Sequence, residues 1–145
     1  MPLTLTLTKN VLPADKLQSA VKQLTQSFLK HHGLAGNTVM TPNVTAQVQI
    51  LDPSHSFSGG EPLRGAWVEW KTPSFAFSTR EVQVACGKEA TEILHELSGG
   101  EQPKDNIYFN VVHTVDGTWN LNGEPLTNEE LGKAIALGAP APSAR

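Results

Sequence analysis

The strongest constraint on the fold is an internal repeat. Shifting the chain by 63 residues carries Gly60, Glu61, Pro62 and Leu63 onto Gly123, Glu124, Pro125 and Leu126, and carries His32, Leu34 and Gly36 onto His95, Leu97 and Gly99. Two separate motifs agree on one offset, with no gap between them. Short Gly/Pro motifs recur in turns by chance, but agreement near both ends of each half favours duplication of one supersecondary unit. The copies run from about residue 2 to 63 and from about 65 to 126.

Local patterning repeats with the same offset. Leu3, Leu5 and Leu7 alternate with Thr4, Thr6 and Thr8, the period of a half-buried strand. The shifted window keeps that parity, with Ala66, Val68 and Trp70 alternating with Trp67, Glu69 and Lys71. Leu17, Ala20, Val21, Leu24 and Phe28 then recur at helical spacing behind Pro13, a residue suited to a first turn. In the second copy Ser78 and Glu81 form a capping-box pattern ahead of Val82, Cys86, Ala90, Ile93, Leu94 and Leu97. Gly33 or Gly36 closes one helix and Gly99 the other. Val44, Ala46, Val48 and Ile50 read as a further strand, as do Ile107, Phe109 and Val111.

Each half is therefore strand, helix, strand, a crossover that lays two strands parallel and covers one sheet face with the helix. The expected fold is α+β, two tandem βαβ units forming a four-stranded mixed sheet with two helices on one face. The other face carries Thr4, Thr6, Gln47, Gln49 and Asn110, part polar and part apolar, and is expected to meet another subunit.

The chain's 145 residues suit a single domain, read as residues 1–132, with a C-terminal tail over 133–145 that ends in GAPAPSAR from Gly138. At 39% hydrophobic and 17% charged the chain is not a disordered polymer. No apolar run nears the roughly 18 residues that span a bilayer, and no basic stretch precedes a greasy one at the N-terminus. The expectation is a cytoplasmic protein with no membrane partner. Cys86 stands alone, which excludes an internal disulfide and a Cys-rich metal site. A net charge of −3 without a Lys/Arg stripe argues against a nucleic-acid partner.

Conventional chemical motifs are absent: there is no phosphate-cradling glycine loop, no Cys/His metal spacing and no serine elbow. No metal and no cofactor are expected. What remains is Pro2, directly after the initiator methionine and at the start of a strand. Removal of Met1 would expose a rigid secondary amine, which can act as a base once burial or nearby cations lower its pKa. The competing reading of Pro2 is a stiff strand start.

With the duplicated βαβ unit, Pro2 and Trp119 ahead of Asn122, Gly123 and Glu124, the chain resembles the tautomerase superfamily, specifically the relatives of 4-oxalocrotonate tautomerase. The resemblance covers about residues 2 to 126. It implies two fused copies of the short enzyme's unit, assembly as a homotrimer, and Pro2 as the catalytic proline that moves a proton between enol and keto forms. It places Trp119 at an active-site aromatic, and Tyr108 where relatives carry an arginine or a tyrosine. An aromatic wall would desolvate the amine, and a tyrosine hydroxyl would donate to the developing oxyanion. Both side chains have a competing role in packing a hairpin and an interface.

Departures from the family pattern are as informative. Leu12, and Phe75 in the second copy, stand where short members carry a carboxylate-gripping arginine, and Ser74 and Phe77 stand near the paired arginines of the dehalogenases. Arg80, Arg64 and Lys71 remain as candidate anion clamps. Arg80 falls in a helix's first turn, unfavourable for the dipole. His32 and His95 read as helix-end residues facing the C-terminal dipole, while His113 ends the last strand before Trp119. The leading expectation is a cofactor-independent tautomerase acting on a small unsaturated 2-oxo or 2-hydroxy acid. Pro2 and Tyr108 would be catalytic, with Trp119, Phe77, Arg80 and His113 binding substrate. The alternatives are a non-catalytic oligomeric binding protein and a hydratase or dehalogenase relative.

Overall fold

A computed structural model describes residues 1–142. Its elements are β1 (Leu3–Thr8), α1 (Leu17–His31), α2 (Met40–Asn43), β2 (Ala46–Leu51), the hairpin β3 (Phe57–Ser58) and β4 (Glu61–Pro62), and β5 (Ala66–Thr72). They continue with α3 (Arg80–Leu97), β6 (Ile107–His113), the hairpin β7 (Trp119–Leu121) and β8 (Glu124–Leu126), and α4 (Asn128–Leu137). The four-stranded sheet runs β2-β1-β5-β6. Pairs β1/β2 and β5/β6 are parallel, and the central β1/β5 pair is antiparallel, so the sheet is mixed as expected.

The central register carries the signature of the repeat. Leu5 lies opposite Val68, its own counterpart under the 63-residue shift, and Leu3↔Trp70 maps onto Leu7↔Ala66. The flanking bonds obey the same relation: Lys71 N–H donates to the Pro2 carbonyl at 3.0 Å, and Thr8 N–H to the Gly65 carbonyl at 3.0 Å. A local two-fold axis thus passes between β1 and β5. The offset is not constant, however. Leu3 pairs Ala46, whereas Ala66 pairs Ile107, so the outer strands are related by 61 residues and the hairpins again by 63. The second copy has lost two residues before its outer strand and regained two after it.

Leu3, Leu5, Leu7, Val68 and Trp70 alternate inward onto α1 and α3, where they meet Leu24, Phe28, Ala90 and Leu94. Phe28 stacks on Trp70 with ring centroids 4.5 Å apart, joining helix to sheet. Thr79, not Ser78, caps α3, accepting from Val82 N–H at 3.3 Å. Positive φ at Gly33 and Gly99 closes the two helices. The helix-free sheet face is open and holds a groove of about 530 Å³ lined by Thr4, Thr6, Gln47, Gln49 and Trp67.

The expected tail over 133–145 is corrected. Thr127 forms a full capping box with Glu130, α4 continues through Leu137, and Leu131 is fully buried. Asn37 Nδ2 donates to the Ile135 carbonyl at 2.8 Å, and Thr38 N–H donates to that of Gly138 at 2.8 Å. Domain structure therefore crosses residue 132. Positions 143–145 of the tail lie outside the described residues. No described helix is long and apolar enough to cross a membrane.

Candidate functional site

The N-terminal end of β1 sits in the middle of the sheet, between β2 and β5. Leu3 N–H donates to the Thr45 carbonyl at 2.8 Å, which fixes the strand's entry. Pro2 brings no N–H to that ladder, and only its carbonyl is engaged. Met1 precedes it in peptide linkage, with its side chain 2% exposed in the core and its α-amine donating to the Asn43 carbonyl. Burial pushes that amine from 8.0 down to about 5. The buried setting of the Met1 amine therefore disfavours its charged form.

Beside Met1 and Pro2 lies a cavity of about 270 Å³, lined also by Asn43, Thr45, Lys71, Thr118 and Trp119. Trp119 opens β7, and the hairpin turns through Asn122 (φ 53°) and Gly123 (φ 82°). Its ring is 6% exposed, and its Nε1 has no acceptor. Leaving such a donor unpaired costs about 1–3 kcal/mol. Lys71 projects from the helix-free face, 3.6 Å from Glu69.

A second cavity of about 330 Å³ gathers Phe77, Arg80, Gln83, Phe109, Val111 and His113. His113 Nε2–H donates to the Ala76 carbonyl at 3.1 Å, and Gln83 Nε2–H to that of Phe77 at 2.9 Å. Arg80 is exposed at the first turn of α3. The expected pocket is thus divided. Pro2 and Trp119 share one cavity; Phe77, Arg80 and His113 share another, and the two have no lining residue in common. They lie near one end of the sheet, since Thr114, next to His113, lines the first.

Tyr108 joins neither cavity. It lies opposite Trp67 on β5, stacked with centroids 5.7 Å apart, while Lys71 marks the Pro2 row. Those rows are four residues apart, about 13 Å along a strand. Within one chain Tyr108 does not face Pro2.

The histidines differ from their sequence reading. His32 Nε2 accepts from Phe77 N–H at 3.1 Å, so its Nδ1 carries the proton and donates to the Phe28 carbonyl at 2.8 Å. Burial pushes its pKa down, favouring the neutral ring rather than a cation at the helix dipole. His31, Lys30 and Ser27 all converge on Glu89 across the α1–α3 interface. His95 Nδ1 meets the Gln102 carbonyl at 2.7 Å. Cys86 is buried, and burial pushes its thiol up to about 11, as an inert core thiol requires. Asn43 was missed in the sequence as a site residue, because a four-residue helix leaves no periodic trace.

No protein-family model matches the sequence, and no curated protein does. Solved structures do match. Pt0534 inactivated by 2-oxo-3-pentynoate superposes with a TM-score of 0.74 at 14% identity, over 91% of this chain and 99% of that one. Native fused 4-OT gives 0.71 at 13% identity, over 91% and 99%. N1, of the cis-3-chloroacrylic acid dehalogenase family, gives 0.69 at 13% identity, over 92% and 90%. The chain has the tautomerase-superfamily fold. A malonate semialdehyde decarboxylase shares it as well, with a TM-score of 0.63 at 10% identity, so tautomerase-fold scaffolds carry several chemistries.

Proposed function

We propose that the mature chain begins at Pro2 and is a cofactor-independent tautomerase of a small unsaturated 2-oxo or 2-hydroxy acid. The observation that carries this reading is the placement of Pro2 at a small cavity walled by Trp119. The neutral secondary amine of Pro2 takes the 2-hydroxyl proton of the enol as the carbonyl forms. The displaced electron pair at the distal carbon then takes the proton back from the Pro2 ammonium, with no net oxidation or reduction. Trp119 excludes water and stacks on the conjugated substrate.

Fused 4-OT relatives are described as symmetric and asymmetric trimers, and the open sheet face of this chain suits self-association. In such a trimer Tyr108 and Arg80 enter the site only where a neighbouring copy brings them to Pro2. Among the described residues no arginine lines the Pro2 cavity, which favours a second reading, a trimeric binding protein without turnover. Ketonisation of phenylenolpyruvate and of 2-hydroxymuconate, by wild type and Pro2→Ala, separates the two. Loss of about 10²–10⁴ in rate supports proline catalysis; equal rates refute it.

A further inference from the structure

The two copies of the repeat differ most in the chain between helix and outer strand. Fourteen residues, 32–45, join α1 to β2, whereas nine, 98–106, join α3 to β6. Each connector buries one carboxamide side chain, Asn37 in the first at 3% exposed and Gln102 in the second at 4%. Asn37 is fully engaged: its Oδ1 accepts from Val39 N–H at 3.0 Å and Met40 N–H at 2.8 Å, and its Nδ2 donates to the Ile135 carbonyl. The longer connector also folds α2, whose Met40 is fully buried. Beside the shorter one lies a cavity of about 400 Å³, at the end of the sheet away from Pro2.

Gln102 gives that cavity its chemistry. Its Nε2 donates to the Arg64 carbonyl at 2.9 Å and to the Asn106 carbonyl at 3.3 Å, which uses both amide protons and fixes which end of the amide is oxygen. Oε1 accepts from no group among the described residues, and it is not one of the polar atoms sealed from the surface. A side chain that is otherwise buried thus keeps one open acceptor at the cavity it lines. The walls add one charge of each sign. Arg64 makes a single hydrogen bond, from Nη2 to the Asn10 carbonyl at 2.8 Å, and neither Arg64 nor Glu101 joins an ion pair among the described residues. Two helix ends meet there as well. Ser98 follows the C-terminus of α3, which favours a cation, and Pro13 and Ala14 lead into α1 without a side-chain cap, which favours an anion. Val11, Leu12 and Pro103 supply apolar surface.

We propose that this cavity binds a free α-amino acid with an aliphatic side chain, its ammonium on Gln102 Oε1 and the Glu101 carboxylate, and its carboxylate on the Arg64 guanidinium. An open acceptor beside a carboxylate selects a positively charged N–H donor. The guanidinium has N–H groups left over from its one bond, in the planar fork that suits a carboxylate. Arg64 and Glu101 sum to zero charge, so a zwitterion matches both, whereas an amine or an acid alone leaves one wall charge unmatched. The volume falls within the range of small-ligand sites. This cavity shares no lining residue with the one beside Pro2, and the length of β1, about 20 Å, separates them. Binding here needs no proline chemistry.

Titration of the ¹⁵N-labelled native protein with L-leucine, and with its two halves 3-methylbutylamine and 4-methylpentanoate, tests the inference by NMR. L-Leucine at millimolar concentration should shift the amide signals of residues 98–106 and leave those around Trp119 in place, and each half should bind at least tenfold more weakly. Glu101→Gln and Arg64→Met, both on exposed side chains, should each weaken L-leucine about tenfold. Gln102→Leu should abolish binding; if circular dichroism shows that it does not fold, the two surface variants decide. Unmoved signals over 98–106, shifts centred on Trp119 instead, equal affinity for either half, or wild-type affinity in Glu101→Gln or Arg64→Met overturns the inference.

Discussion

At the scale of single residues, His32 does more than end a helix. Its ring stacks on Phe28 at 4.2 Å, and its Nε2 holds the Phe77 N–H, at a residue whose φ of 53° is unusual for an aromatic side chain. The unfolded imidazole takes its proton near pH 6.5 and the folded one at lower pH, so the unfolded state binds more protons in between. Stability is therefore expected to fall as pH drops below about 6.5. His32→Leu should cost about 1–3 kcal/mol by orphaning the Phe77 N–H and should flatten that limb in urea melts between pH 7 and 5. Glu89 acts in the opposite sense. Its hydrogen bond from Lys30, ahead of those from His31 and Ser27, holds its carboxyl down to about 2. The stabilisation is complete above the ordinary carboxylate value of 4.5 and is lost as pH falls from there toward 2. Because the group is partly exposed, Glu89→Gln should cost only about 1 kcal/mol. Neither contact was legible in the sequence, since each joins residues more than 40 positions apart; the sequence showed two helix-end histidines and nothing of what they touch.

At the scale of elements, the repeat made the strands, the two long helices and their shared layer legible, because each shows a period that burial imposes. Loss of two residues before β6 was not legible, since the motifs that fix the offset lie on either side of it. Helix α4 was hidden by composition: the Gly, Ala and Pro that follow it read as a loose end, and its single fully buried side chain is Leu131. Leu131→Ala should cost about 2–4 kcal/mol, and Thr127→Ala about 1 kcal/mol through the lost cap. Since α4 packs on β7 and β8, both substitutions should raise amide hydrogen exchange around Trp119 before they affect β1 or β5. Exchange that rises uniformly over the whole sheet would show that α4 does not hold the hairpin separately.

At the scale of the whole molecule, two helices cover one face of the sheet, and Thr4, Thr6, Trp67, Glu69, Lys71, Asn110 and Val112 stand on the other. Light scattering is expected to give three copies per particle. Val112→Asp, which changes an exposed side chain on that face, should favour the monomer without loss of helix by circular dichroism, because an unpaired carboxylate is costly to bury in an interface. The division of the expected pocket into two cavities belongs to this scale. Sequence spacing places Phe77, Arg80 and His113 near the same sheet end as Pro2, but it does not say which layer each side chain enters.

Proline catalysis turns on whether the nitrogen of Pro2 is a free amine, since it is otherwise locked in an amide behind the buried Met1 side chain. Intact-mass measurement of the purified native protein addresses this directly. A mass short by one methionine residue, with proline as the first residue sequenced, is the expected result. A mass that retains Met1 throughout the active population would contradict the account, because no secondary amine would then exist to move the proton.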